Sequence, residues 1–145
     1  MVVCFLLFGA SPSSASIAVS VIEGQVDFNK SANEEGVIEL SGEWWFAWGA
    51  LLEPNEMAVE PRQLYRLPSI WNELPENRGK VSGLGYATFS VDLINIPDES
   101  YWGVTIPEQD TAFRLYIDDR LIASGGQVAR DRENSQPYSG VQTVN

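Results

Sequence analysis

Apolar and polar residues alternate with a period of two along much of this chain. The clearest stretch is 86–93 (YATFSVDL), in which Ala87, Phe89, Val91 and Leu93 share one face and the residues between them share the other. Alternation of this kind over a whole segment is typical of a half-buried antiparallel strand. We therefore predict a strand at 86–93 with its apolar set directed towards the core.

Shorter segments follow the same period. Phe113–Ile117 (FRLYI) directs its first, third and fifth residues inward and turns Arg114 and Tyr116 outward. The segment 44–48 (WWFAW) is apolar on both faces, which indicates a strand covered on two sides. Further strands are predicted at 37–40, 64–67, 102–106 and 120–124, and Asp118-Asp119 has the length of a tight hairpin turn.

Short strands joined by long polar connections predict an all-β fold, specifically an antiparallel jelly-roll β-sandwich. The connections at 53–63 and 72–82 are rich in Pro, Glu, Asn and Gly, and no segment has a sustained helical period. The predicted strands are fewer than the roughly eight of a jelly roll, and 142–145 shows no evident closing strand. We therefore expect a jelly roll that lacks its last strand or strands.

The N-terminal segment predicts export. An apolar run at 2–10 is too short for a bilayer, which needs roughly 20 residues, and small residues follow it, as in a secretory signal. No Lys or Arg precedes the run, and a buried N-terminal strand is the alternative. We predict a signal peptide at 1–18 and one domain at 19–145, and the only cysteine, Cys4, would leave with the signal.

The charge balance opposes binding to anions. There are 9 Lys+Arg against 20 Asp+Glu, a net charge of −11, so phosphate backbones and anionic lipids are repelled and we expect no nucleic-acid partner. The chain has no His, which removes the commonest general base and metal ligand. Glycoside hydrolysis would need two carboxylates roughly 5–10 Å apart, and no motif marks such a pair. We therefore predict that this chain is not an enzyme.

A calcium site is the remaining metal option. Carboxylates that could supply oxygen ligands lie at Asp110, Asp118, Asp119, Asp131 and Glu133. Their spacing is irregular, so a solvated acidic surface is favoured over a metal site. We expect neither a metal nor a cofactor.

Candidate ligand-binding residues are aromatic, basic or acidic side chains on outward faces and connections, namely Trp71, Tyr86, Arg114, Tyr116 and Glu108. Trp71 lies in a Pro-flanked connection, where recognition residues concentrate. Arg114 and Tyr116 could together bind sugar hydroxyls or a carboxylate, and Tyr86 forms a similar outward pair with Thr88.

Structural roles that involve no ligand are the alternative for these residues. Arg114 could instead form a surface ion pair with Glu108 or Asp110, of small energetic value. Trp44, Trp45 and Trp48 could stack on a sugar ring, but three such residues in one strand more often belong to the core and the sheet edge.

Four ordered blocks carry a resemblance to known families. They are IELSGEW at 38–44, LPSIW at 67–71, GLGYATF at 83–89, and FRLYIDD at 113–119 with ASGGQV at 123–128. They resemble the N-terminal extracytoplasmic domain of bacterial seven-transmembrane receptors with diverse intracellular signalling modules. They are more distantly similar to the sugar-binding domain of family 2 glycoside hydrolases. Phe89-Ser90 and Asp118-Asp119 depart from the usual Tyr-Arg and Asn-Gly of those blocks.

The resemblance implies a galactose-binding-like jelly roll that senses a carbohydrate or another small molecule. It further implies a location in the periplasm or at the cell surface, attached to the cytoplasmic membrane through the membrane-embedded part of the parent protein. Any histidine kinase or diguanylate cyclase activity would then lie elsewhere in the parent. The alternative is an accessory sugar-binding domain of an exported glycoside hydrolase, and a purely structural adhesion module is a third option.

Overall fold

The computed structural model describes residues 16–30, 37–57, 61–69, 85–97 and 102–144. Within these ranges the backbone is mostly strand, and two 3-10 turns, Phe28–Lys30 and Pro54–Glu56, are the helical segments. The strands are β1 Ser16–Val21, β2 Gln25–Asp27, β3 Val37–Trp48, β4 Gln63–Leu67, β5 Ala87–Ser90, β6 Asp92–Ile94, β7 Val104–Ile106, β8 Phe113–Ile117, β9 Arg120–Gly125 and β10 Gln142–Val144. The all-β prediction is confirmed. No helix in these ranges is long and apolar enough to cross a membrane.

The largest sheet is organised around β3. Its first half pairs in parallel with β1, and its second half pairs antiparallel with β4 and β5. Gly42 pairs with both Val21 and Leu67, so β1 and β4 lie on opposite edges of β3. Phe46 pairs with both Gln63 and Phe89, which places β5 on the same edge as β1, further along β3.

The other described strands form two-stranded pairs, β2 with β6, β7 with β10 and β8 with β9. The prediction of a wholly antiparallel arrangement is wrong for β1–β3 and β2–β6, which are parallel. The expectation of no strand at 142–145 is also wrong, because β10 pairs antiparallel with β7. β10 has three residues, too few to show an alternation of apolar and polar positions, so the sequence pattern did not reveal it.

The hairpin β8–β9 agrees with the sequence prediction. Ile117 pairs with Arg120 across Asp118-Asp119, and Asp118 adopts a left-handed backbone with φ 52°. The register shifts between Leu115 and Tyr116, which marks a β-bulge.

The strand predicted at 86–93 differs in its surroundings. It is divided into β5 and β6, and all four residues of β5 are buried, including Thr88 and Ser90. The half-buried prediction is therefore wrong, because β5 is covered on both faces. The predicted strands 37–40 and 44–48 are one strand, β3, in which the Trp44 side chain is fully buried and Trp48 is 36% exposed.

An aromatic cluster holds the centre of the largest sheet. Phe46 on β3 lies 5.3 Å from Tyr65 on β4 and 4.8 Å from Phe89 on β5, measured between ring centroids. All three side chains are buried, and full burial of one such side chain contributes about 1.5–3 kcal/mol. Side-chain packing therefore joins β3, β4 and β5 in addition to their backbone hydrogen bonds.

Residues 1–15 of the predicted signal peptide lie outside the described residues, and its last three, Ser16 to Ala18, lie in β1. Cleavage after residue 18 would leave Val19 to Val21 of that strand, which pair with Leu40 to Gly42.

Candidate functional site

A small cleft lies where the loop after β3, the start of β5 and strand β8 come together. Its volume is about 60 Å³, room for about five water molecules. The described lining consists of Leu51, Leu52, Gly85, Tyr86, Ala87, Thr88, Thr111, Ala112, Phe113, Arg114, Tyr116, Val128, Ala129 and Ser135. Three predicted site residues, Tyr86, Arg114 and Tyr116, are thus brought to one place.

Strand β8 orients two of these side chains. Phe113 and Leu115 are 3% and 1% exposed, and these core anchors turn the alternate residues, Arg114 and Tyr116, to the opposite face. The predicted faces of β8 are confirmed.

Arg114 and Tyr116 join Glu53 in a polar group that we call the Glu53–Arg114–Tyr116 triad. Arg114 Nη1 donates to Glu53 Oε1 at 3.0 Å and to the Tyr116 hydroxyl oxygen at 3.2 Å. Burial, followed by a hydrogen bond to the Glu53 carboxylate, raises the pKa of Tyr116 above its ordinary value, although the Arg114 charge opposes this. Tyr116 is therefore a neutral phenol across the physiological range.

The ion-pair partner predicted for Arg114 was wrong. The guanidinium pairs with Glu53 and not with Glu108 or Asp110. Glu53 lies 61 positions from Arg114 in a connection whose sequence has no strand period, so no local pattern pointed to it.

The loop that carries Glu53 is tied to β5. Thr88 Oγ1 donates to the Ala50 carbonyl at 2.8 Å and accepts from the Leu52 amide at 2.9 Å. The Glu53 amide donates to Glu56 Oε2 at 2.9 Å, which caps the start of the turn Pro54–Glu56. Thr88 was predicted as an outward partner of Tyr86, but it is buried and acts as a support for the loop.

Two predicted ligand residues, Glu108 and Trp71, are not among the described residues that line the cleft. Glu108 accepts a hydrogen bond from the Ser139 hydroxyl at 2.7 Å, and Asp110 lies at 2.6 Å from the same hydroxyl oxygen. Trp71 lies outside the described residues.

The three tryptophans of β3 do not share one environment. Trp44 is in the core, whereas Trp45 lies under the Arg62 guanidinium, 5.0 Å from its ring centroid. Trp48 lies against Gly85 at the edge of the cleft, because a Cβ placed on that glycine would come within 2.4 Å of its ring. The sugar-stacking interpretation is therefore wrong for Trp44, and Trp48 lies against a residue of the cleft lining, Gly85.

The described residues contain no group of three or more His, Cys, Asp or Glu side chains that could hold a metal ion. Among the acidic residues considered for calcium, Asp131 accepts from the Asn134 amide and side chain at 2.9 and 2.7 Å. These hydrogen bonds lower the pKa of Asp131, and its carboxylate stabilises a local turn.

No family model, no curated protein and no solved structure matches this chain.

Proposed function

We propose that this chain is a non-catalytic, extracytoplasmic jelly-roll module that binds a carbohydrate or similar small molecule for a membrane signalling protein. The observation that carries the proposal is the convergence of Tyr86, Arg114 and Tyr116 in one cleft. Tyr86 is distant in sequence from Arg114 and Tyr116, which are neighbours on β8, and the outward position of all three in the sequence pattern predicts a ligand contact.

The chemistry of the cleft supports a small polar ligand with an apolar surface. Leu51, Leu52 and Val128 supply apolar walls, while Arg114 and the tyrosines supply hydrogen-bonding groups. Apolar walls with a few placed polar groups are typical of small-molecule sites. The cleft is smaller than the roughly 300–1,000 Å³ of drug-sized sites, so the ligand would enter by one edge only.

The Arg114 guanidinium is already oriented by hydrogen bonds before such a ligand binds. Its Nη1 is engaged by Glu53 and Tyr116, and within the described residues no hydrogen bond involves its Nη2 or Nε. A guanidinium that is already oriented loses less conformational freedom when a ligand binds.

The signalling part of the proposal follows from the receptor resemblance. A ligand that binds one arrangement of this domain better than another would shift the population of the two and so bias the membrane-embedded part. The size of the bias cannot exceed the difference in the ligand's affinity for the two arrangements.

The test is a thermal-shift screen of the full chain against neutral sugars, sugar acids and amino acids. A ligand at 100 times its Kd stabilises by about 2.7 kcal/mol, which is easily measured. We expect Arg114→Ala to weaken binding of any hit by about ten-fold or more, because a charged hydrogen bond is lost. Arg120→Ala is the matched control, since Arg120 is exposed in the same hairpin and lies outside the described cleft lining.

Two results would count against the proposal. One is a screen in which no compound raises the melting temperature. The other is a hit that binds the Arg114→Ala and Arg120→Ala variants equally well.

A further inference from the structure

We propose that the cleft selects a neutral sugar edge bearing adjacent hydroxyls and rejects the corresponding sugar acid. This inference rests on the proposed function and names the ligand class that the Glu53–Arg114–Tyr116 triad favours.

Charge compensation in the triad is the first argument. Arg114 is the only charged residue in the described lining of the cleft, and Glu53 Oε1 lies 3.0 Å from its Nη1. The pair is therefore close to neutral, and the chain as a whole carries −11. An incoming anion meets no net positive charge at the cleft and a repulsive field around it.

Hydrogen-bond capacity is the second argument. Arg114 lines the cleft, and its Nη2 and Nε are donors beyond the Nη1 that Glu53 and Tyr116 engage. A ligand hydroxyl can accept from the guanidinium and donate to a hydroxyl oxygen of the lining, such as that of Thr111 or Ser135. A ligand carboxylate can only accept, and at the guanidinium it would compete with the Glu53 carboxylate, which lies outside the described lining but 3.0 Å from Arg114 Nη1.

The uncharged part of the lining agrees with this assignment. Thr111 and Ser135 add hydroxyl groups, and Tyr86 adds a phenol beside apolar walls. A volume of about 60 Å³ accommodates the edge of a ring with two adjacent hydroxyls better than a complete pyranose. The acidic side chains Glu108 and Asp110 are engaged with Ser139, outside the described cleft lining.

The experiment compares sugars that differ only in oxidation at C6, namely glucose with glucuronate, galactose with galacturonate and mannose with mannuronate. Binding to the full chain is measured by ligand-observed NMR titration at neutral pH and at two salt concentrations. We expect the neutral member of at least one pair to bind at least about ten-fold more tightly, because Glu53 already compensates the Arg114 charge and repels a second carboxylate placed at the same guanidinium.

The variant Glu53→Gln tests the cause. It removes the compensating charge and keeps the shape of the side chain, so the preference for the neutral sugar should fall by about ten-fold or reverse. Asp119→Asn is the control, because it removes one negative charge from the exposed hairpin turn outside the described cleft lining. It should leave the preference within about two-fold, as expected for a screened distant charge.

The outcomes separate the two proposals. Equal or tighter binding of the acids, with Arg114→Ala still weakening it, overturns the neutral-sugar inference and leaves the ligand-binding function standing. An unchanged preference in Glu53→Gln also overturns the inference, because the triad would not be its source. Absence of binding by every member of all pairs overturns the inference, and the wider screen above then decides the proposed function separately.

Discussion

Replacement of Thr88 by valine is the sharpest test of how the cleft is built. Thr88 is 5% exposed on β5, and its hydroxyl bridges the Ala50 carbonyl and the Leu52 amide of the loop that leads to Glu53. Valine has nearly the same shape, so the change removes the two hydrogen bonds without opening a cavity.

The expected cost follows from those two bonds. A buried backbone group left without a partner costs about 1–3 kcal/mol, and Ala50 and Leu52 are only partly buried, so water replaces some of the loss. We expect Thr88→Val to lower the free energy of unfolding by about 2 kcal/mol. In a chain of 145 residues this corresponds to a fall in melting temperature of about 6–8 °C.

The assay is chemical and thermal unfolding followed by tryptophan fluorescence and circular dichroism. Thr88→Ser keeps the hydroxyl and loses a methyl group, and should cost about 1 kcal/mol. Thr143→Val is the matched control, because Thr143 is exposed and its hydroxyl makes only a 3.3 Å contact with Thr105; its effect should lie within about 0.5 kcal/mol. Thr88→Val unfolding at the wild-type midpoint would refute the idea that this hydroxyl supports the loop.

Two further predictions concern backbone strain and pH. Gly24→Ala should lower the free energy of unfolding by more than about 2 kcal/mol, because Gly24 has φ 75° and a Cβ would come within 2.2 Å of Trp45 Nε1. Gly49 has φ 69° but open space around it. Gly49→Ala should therefore cost only about 1 kcal/mol in the same urea titration. The raised pKa of Tyr116 means that the folded state holds this proton more tightly, so its contribution to stability is present below pH 10.0 and declines as the pH rises above it. The free energy of unfolding of Tyr116→Phe should therefore fall less steeply than that of the wild type as the pH rises above 10.0. Identical pH dependence of the two proteins in this range would contradict the prediction.

The local alternation of apolar and polar residues was sufficient to predict part of the site. The alternation in Phe113–Ile117 predicted that Arg114 and Tyr116 share the outward face, because neighbours two residues apart on a strand always do. The same logic failed for Thr88, since a polar residue on the outer face of β5 is exposed only if nothing covers that face. Whether a second layer lies there is decided by segments distant in the chain.

Glu53 shows the same limit. Its carboxylate is 3.0 Å from Arg114 Nη1, but nothing in its own neighbourhood marks it among the 20 acidic residues. Glu108 and Asp110, the ion-pair partners predicted for Arg114, are close to it in sequence, whereas the structure places both beside the Ser139 hydroxyl. Sequence distance is a poor guide to ion pairs in a sheet protein because most of its contacts are long-range.

The sequence by itself determined that the chain is built from strands, where several of them lie and which side chains of β8 face outward, because a strand's two-residue period is a local property of its backbone. Tertiary structure alone decided that β1 pairs in parallel with β3 and β2 with β6, that β10 joins β7, that β5 is buried on both faces, and that Glu53 completes the triad. Those features depend on which distant segments meet, and hydrogen bonding between strands imposes no sequence signature on the partner that is chosen.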